Sequence, residues 1–295
     1  MLAISEAWAV SWAVGLQARA RPRSRRVASR RSEVGFYVVA TTTRLTIGET
    51  TLTRIGLGTN RLTNTPENVQ FVREAVAAGV NMIDTAHIYT GGESEATLGE
   101  ALSTAPSDCM VATKGGFSAA EANTDALRAQ IAESLHRLRS ERIGLYYLHR
   151  IHPEVPLEQS LAVLAEHRDA GTIGHVGISE ASIEQVERAR AMVPIEAVQN
   201  HYNLTERRHE EVVDYCAAAG ITFVPYFPLR GGGPPELDEI AARHEATPTQ
   251  IALAWLLRRS PTMLPIPGTL SLAHLRENLG ALEITLTDAE FEALM

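Results

Sequence analysis

From residue 44 onward the chain repeats one pattern: a short, nearly continuous apolar run, then an amphipathic stretch. The apolar runs are Ile55–Thr59, Met82–Ala86, Met110–Lys114, Leu145–His149, His175–Ser179, Ala197–Asn200, Thr222–Phe227 and Met263–Pro267. Continuous apolar runs mean strands buried on both faces, which is the habit of a parallel sheet covered by helices. The intervening helices announce their ends. Pro66 opens one that closes at Gly79, and Asp125–Leu138 carries apolar residues at 127, 131, 135 and 138. Leu157–Ala170 closes at Gly171, Glu210–Ala219 closes at Gly220, and Pro248 introduces Gln250–Arg259. Ahead of the first run, Arg44–Thr53 reads as a β-hairpin turning at Gly48-Glu49. Strand-to-strand spacings of about twenty to about forty residues suit βα units with short loops. Eight such units predict an α/β fold of one kind: a (β/α)8 TIM barrel with an N-terminal hairpin, one domain over 44–295. A doubly wound dinucleotide fold fits less well, because Gly56-Leu-Gly58-Thr59 lacks the third glycine and an immediate helix.

Charge changes this picture only at the N-terminus. The net charge is −8, which argues against a nucleic-acid-binding face. Residues 1–35 hold seven arginines against Glu6 and Glu33, a net of +5, so residues 36–295 carry −13. The apolar part of this leader precedes its basic cluster, the reverse of a secretory signal, and is too short to span a bilayer. An organellar transit peptide and an over-extended reading frame both fit; the expectation is a disordered, Arg-rich extension over 1–43. Two cysteines, Cys109 and Cys216, stand far apart in apolar contexts and read as reduced core residues of a cytoplasmic protein. Neither a membrane nor an obligatory protein partner is indicated.

Lysine occurs once, at Lys114, among 27 basic residues that are otherwise arginine. Lysine differs from arginine in carrying a compact ammonium whose proton affinity surroundings readily tune. Chemistry in a barrel sits where strands end at their carboxyl edge. There the second, third and fourth runs present Asp84, Lys114 and His149 side by side, with Tyr89 just beyond. Each has a bland reading: a helix-capping aspartate, a surface lysine, a satisfied histidine, a loop tyrosine. Together they make sense as proton-transfer machinery. A phenol, with a free pKa near ~10, donates poorly to a neutral carbonyl unless a nearby cation favours the phenolate. Asp84 would keep Lys114 charged against desolvation, and His149 would orient a carbonyl oxygen. Such a set reduces a C=O once something supplies hydride.

These residues lie in an ordered series of motifs. They are Gly56-Leu-Gly-Thr59, Asn81-x-x-Asp-Thr-Ala-x-x-Tyr89, Gly92-Glu-Ser-Glu-x-x-Leu-Gly99, Thr113-Lys-Gly115, Leu145-Tyr-Tyr-Leu-His149, Gly177-Ile-Ser179, Val198-Gln-Asn-x-Tyr-Asn203, Thr247–Trp255, Ile266-Pro-Gly-Thr269 and His274–Asn278. In this series the chain resembles the aldo-keto reductase family over roughly residues 44–294, and its C-terminal part is similar to the bacterial pyridoxal-reductase-like branch. The resemblance implies an NADPH-dependent oxidoreductase that reduces aldehydes or ketones, pyridoxal-like ones included. It implies Tyr89 as proton donor, with Asp84, Lys114 and His149 completing a tetrad and no metal. Ser179 and Gln199 would hold the nicotinamide carboxamide and Tyr226 would stack on the ring. Gly58 and Thr59 would line the site, and Leu229 and Gly231 would follow the pyrophosphate. Gly268, Thr269, Ser271, His274, Glu277 and Asn278 would bind the adenosine end of the cofactor, with Thr269, Ser271, His274 and Arg276 available to its phosphate.

Two departures stand out. Glu180 occupies a position where many relatives carry asparagine, and nothing in the sequence explains its charge. Gly268-Thr269 replaces a common Lys-Ser pair, so NADH competes with NADPH as the expected cofactor. Three other readings remain open on the residues. One is a Schiff-base aldolase using Lys114, which needs a neutral amine. The others are a nicotinamide-binding regulatory barrel with little turnover, and a metal hydrolase built on Asp84, His149 and His152.

Overall fold

The computed structural model describes residues 42–103 and 109–295. Most of the expected N-terminal extension lies outside these. Its last two residues are described, and both are tied to the fold: the Thr42 carbonyl accepts from the Arg54 guanidinium and the Thr43 carbonyl from the Arg54 amide.

The hairpin forms as expected, with β1 (Arg44–Ile47) and β2 (Thr50–Thr53) antiparallel around Gly48-Glu49. Seven parallel strands follow: β3 (Leu57–Gly58), β4 (Met82–Asp84), β5 (Met110–Gly115), β6 (Ile143–Leu148), β7 (Ile173–Ser179), β8 (Ala197–Gln199) and β9 (Thr222–Phe223). Each pairs with the next in chain order. Between and after them run α1 (Pro66–Ala77), α2 (Glu93–Leu102), α3 (Thr124–Arg137), α4 (Leu157–Asp169), α5 (Ile183–Arg190), α6 (Glu210–Ala219), α7 (Glu236–Arg243), α8 (Pro248–Arg259), α9 (Leu272–Gly280) and α10 (Asp288–Ala293). The start signals work as written: Thr65 caps α1 ahead of Pro66, and Thr247 with Gln250 forms a reciprocal capping box on α8.

The eighth apolar run, Met263–Pro267, forms no regular strand, and this corrects the sequence expectation. Pro265 and Pro267 have no N–H to give, so a ladder cannot run through them. The run still closes the ring through what it has. Leu264 N–H donates to the Phe223 carbonyl, while the carbonyls of Pro265 and Pro267 accept from Gly56 and Gly58. Gly58 is required at that seam, because a Cβ there would meet the Ile266 carbonyl at 2.7 Å. The seven strands with this segment make a closed (β/α)8 barrel.

The apolar core has two compartments. One fills the space between strands and helices. The other fills the barrel interior with Met82, Met110, Leu145, Tyr147, Val224 and Leu264, and the hairpin adds Ile47 and Leu52 from below. The hairpin is therefore the barrel's floor, pinned by reciprocal hydrogen bonds between Asn81 and residues 51 and 53. Burial pushes the thiols of Cys109 and Cys216 up to about 12, so neither is a ready nucleophile. Among the described residues no helix is long and apolar enough to cross a membrane.

Candidate active site

At the opposite end, β4 delivers Asp84, β5 delivers Lys114 and the residue after β6 is His149. Lys114 and His149 each lie two residues beyond their predecessor's partner, since Asp84 pairs with Ala112 and Lys114 with Tyr147, and the tilt of barrel strands carries this stepped series to the same rim. Tyr89 begins a short 3-10 turn, Tyr89–Gly92, in which Thr90, Gly91 and Gly92 all take positive φ. That reversal swings the chain from β4 into α2 and leaves Tyr89 over the barrel mouth.

Lys114 is fully buried and Asp84 is 2% exposed. The ammonium donates to Asp84 Oδ1 at 2.6 Å and to the Thr85 carbonyl at 2.6 Å. Asp84 Oδ2 accepts from the Gln199 amide at 2.7 Å. Burial pushes the carboxyl upward, but the Lys114 ammonium and the Gln199 amide both donate to its oxygens and favour its charged form, so the pair is ionic. Burial also opposes the ammonium, but Asp84 outweighs it and the Lys114 pKa lies above the ordinary value. A lysine held charged cannot form a Schiff base, which removes the aldolase reading. The ammonium lies 4.9 Å from the centroid of the Tyr89 ring.

His149 stands edge-on to Tyr89, with ring centroids 6.2 Å apart at 81°. Burial, Lys114 and Arg150 together push its imidazole down to about 2. It is thus neutral at any working pH and can donate one N–H to an oxygen. Nδ1 has no partner among the described residues.

Asp84, Tyr89, His149, Gln199, Tyr226, Gly58, Thr59 and Gly268 line one cavity of about 350 Å³. Lys114 lies beneath it against Asp84, and Ser179 lies beside Gln199, whose carbonyl accepts from the serine hydroxyl at 2.8 Å. Thr59 is tied to the Asp84 carbonyl at 2.8 Å. Tyr226 carries His201 stacked on one face at 5.2 Å and 12°. The remaining sequence candidates lie outside the cavity wall. Leu229 packs against the core, and Gly231 takes φ 94 beside Thr205. Ser271 caps α9 by accepting from the His274 amide, Thr269 accepts from the Ser271 amide, and Asn278 is buried within α9. Glu277 is engaged by the Thr247 hydroxyl at 2.7 Å.

The unexplained Glu180 now has a reason. It sits at φ 54, and its carboxylate accepts from the His201 amide at 2.7 Å and from Arg208 at 3.2 Å. Burial works against its charge, but His209, the His201 N–H and Tyr226 hold the carboxyl down at about 2. Burial and this carboxylate push the Tyr226 phenol up to about 12. Glu180 therefore anchors the His201–Tyr226 stack from behind. Three of the five non-glycine residues with positive φ among the described residues, Thr90, Glu180 and Phe227, surround this mouth, and backbone strain of that kind gathers at working sites.

Sequence comparison agrees with this geometry: residues 54–236 and 233–295 match the aldo/keto reductase family. The chain belongs to that family. An uncharacterized oxidoreductase of Schizosaccharomyces pombe is 35% identical over 268 residues, covering 84% of this chain and 87% of its own. Pyridoxine 4-dehydrogenase of Escherichia coli is 35% identical over 279 residues, covering 84% and 96%. A thermostable aldo-keto reductase solved with the inhibitor epalrestat superposes with a TM-score of 0.79 at 34% identity, over 85% of this chain and 98% of that one. An aldo-keto reductase from Klebsiella pneumoniae in complex with NADPH gives 0.76 at 25% identity, over 83% and 90%.

Within this aldo/keto reductase the sequence reading passed over Phe117, Arg150 and Phe227, all of which line the cavity. Arg150 was within reach, as the residue directly after the histidine that leaves β6. Phe117 and Phe227 come from loops whose paths no periodicity records.

Proposed function

We propose that this protein is an NADPH-dependent reductase of small aldehydes and ketones in which Tyr89 is the proton donor. The observation that carries the reading is the buried Lys114–Asp84 pair set 4.9 Å from the Tyr89 ring, on the wall of a cavity open to a carbonyl. The wall suits a nicotinamide: Tyr226 offers a ring to stack on, Gln199 offers an amide, with Ser179 next to it, and Gly58 and Gly268 keep the seam free of side chains. When bound, the cofactor supplies hydride to the carbonyl carbon. The protein's own work is the proton. His149, neutral, donates its N–H to the carbonyl oxygen and holds it toward the phenol. Tyr89 gives its proton to that oxygen as negative charge develops there. Lys114 stabilises the phenolate left behind, and Asp84 keeps Lys114 from surrendering its own proton. Positioning by Tyr226 and His149 supplies the orientation part of the rate.

Pyridoxal is the first substrate to try, because the relative at 35% identity over 96% of its length is a pyridoxine 4-dehydrogenase. The test is NADPH oxidation with pyridoxal and 4-nitrobenzaldehyde, wild type against Tyr89→Phe. A loss of about 10²–10⁴-fold is expected for removal of a general acid. Equal rates would take Tyr89 out of its role.

A further inference from the structure

Most charges at the mouth are matched: Lys114 has Asp84, and Glu180 has Arg208 and a backbone N–H. Arg150 is not. It lines the cavity beside His149. Its hydrogen bonds among the described residues both come from one nitrogen, Nη1, which donates to the His149 carbonyl at 2.7 Å and the Ser179 hydroxyl at 3.2 Å. Those two bonds lock the guanidinium against the wall. Its central carbon lies 5.7 Å from the Phe117 centroid and 5.8 Å from that of Tyr226. The group is thus fixed in place between two aromatic rings, and among the described residues the rest of its N–H fork is uncommitted and no carboxylate pairs with it. A protein of net charge −8 has placed an uncompensated arginine on the wall of its reaction chamber. A guanidinium fork is shaped for the two oxygens of a carboxylate, or for one phenolate oxygen.

Resting on the reductase reading above, we infer that Arg150 selects carbonyl substrates that carry an anionic oxygen group, a carboxylate or a phenolate, beside the reacting carbonyl. Phe117 and Tyr226 hold the guanidinium itself between them, so that its free N–H groups meet the anion on the substrate while His149 meets the carbonyl. Nothing covalent happens at Arg150; it sets affinity and orientation.

Two nearly isosteric aldehydes isolate the effect: 4-carboxybenzaldehyde and 4-carbamoylbenzaldehyde, at fixed NADPH. The wild type should favour the carboxylate by about tenfold or more in kcat/KM, mainly through KM, as a charge-assisted contact does. Arg150→Met should bring that ratio to about one, and Arg150→Lys should restore part of it. A purely structural arginine would lower both rates together and leave the ratio alone. A wild type that prefers the amide, or a ratio that survives Arg150→Met, overturns the inference. Calorimetric binding of 4-(hydroxymethyl)benzoate and its amide, with and without NADP⁺, makes the same comparison without turnover. If neither aldehyde turns over, an Arg150-dependent preference for the benzoate sinks the reductase reading and leaves this one standing. Absence of that preference sinks both.

Discussion

Among the described residues one arginine and one lysine are buried in this barrel, one at each end, and their partners differ. At the floor, Arg54 is 1% exposed and surrounded by carbonyls: Met263 at 3.1 Å, Leu257 at 2.8 Å, Ser260 at 2.5 Å and Thr42 at 3.0 Å. Among the described residues no carboxylate pairs with it, and burial lowers its pKa to about 10. At the mouth, Lys114 is equally buried but faces a carboxylate. An arginine spread over four neutral acceptors is a fastener, because its five fixed donors satisfy chain ends that would otherwise be orphaned. A lysine against one aspartate is a tuned charge. The geometry of the partners, more than the burial itself, separates structure from chemistry.

Removing the mouth cation should have the larger effect. Lys114→Met leaves Asp84 buried without its counter-charge, a loss of roughly 3–5 kcal/mol. Single-turnover reduction should also fall, by about 10³-fold, within the range for losing assisted proton transfer. The double variant Lys114→Met/Asp84→Asn removes the stranded charge. Thermal unfolding should then recover most of the stability while turnover stays lost. If activity returned along with stability, Lys114 would be a structural residue like its counterpart at the floor.

Next in size is Arg54→Leu. It orphans several buried carbonyls at about 1–3 kcal/mol each, so about 3–5 kcal/mol of stability should go once partial relaxation is allowed for. The folded fraction at low temperature should keep its kcat within about threefold, since nothing at the mouth touches Arg54. A large fall in kcat at unchanged stability would break the division of labour between the two ends.

How far this was legible in the sequence follows the same division. Lys114 and its neighbours were found because a barrel puts the ends of parallel strands at one rim, so order along the chain becomes proximity in space. Helix starts such as Thr65-Pro66 and Thr247-Pro248 were legible because capping is local. Arg54 was invisible. It lies between Thr53 and Ile55 at a strand entrance, and three of its four acceptors are 203 to 209 residues away. Glu180 looked anomalous for a related reason: its partners His201 and Arg208 come from the loop after β8, and only tertiary packing brings them together. The eighth run was recognised by its apolar character, but the two prolines that keep it from being a strand were not weighed against that pattern.

Acidification offers a milder way to separate the ends. His149 titrates at about 2 when folded and near ~6.5 when unfolded. Between those values the unfolded chain binds the extra proton, so stability is present above the unfolded pKa and drains away as pH falls below it. Glu180, held at about 2, adds a loss in the same direction, but only as pH falls below the ordinary carboxylate range of about 4.5. The window from about 6.5 to 4.5 therefore belongs to histidines, His149 first, with His167 and His201 also lowered by burial. The unfolding midpoint of His149→Gln should decline less steeply across that window than that of the wild type. A slope identical to wild type would mean that His149 is not held neutral by its surroundings. The floor has no such lever, because Arg54 stays charged throughout the same range.

The smallest effect should come from behind the cofactor wall. Glu180→Gln keeps an oxygen for the His201 amide but withdraws the charge that Arg208, His209 and Tyr226 converge on. With the carboxylate partly exposed, that change amounts to about 0.5–1 kcal/mol, or roughly two- to fivefold in the KM for NADPH. The aldehyde KM should hardly move, because His149 and Arg150 approach the substrate from the other side. The charge at 180 therefore belongs to the ring stack His201–Tyr226 and to whatever lies on it. If the variant instead raised the KM for aldehyde and spared that for NADPH, Tyr226 would face the substrate, and the assignment of the two halves of the cavity would have to be exchanged.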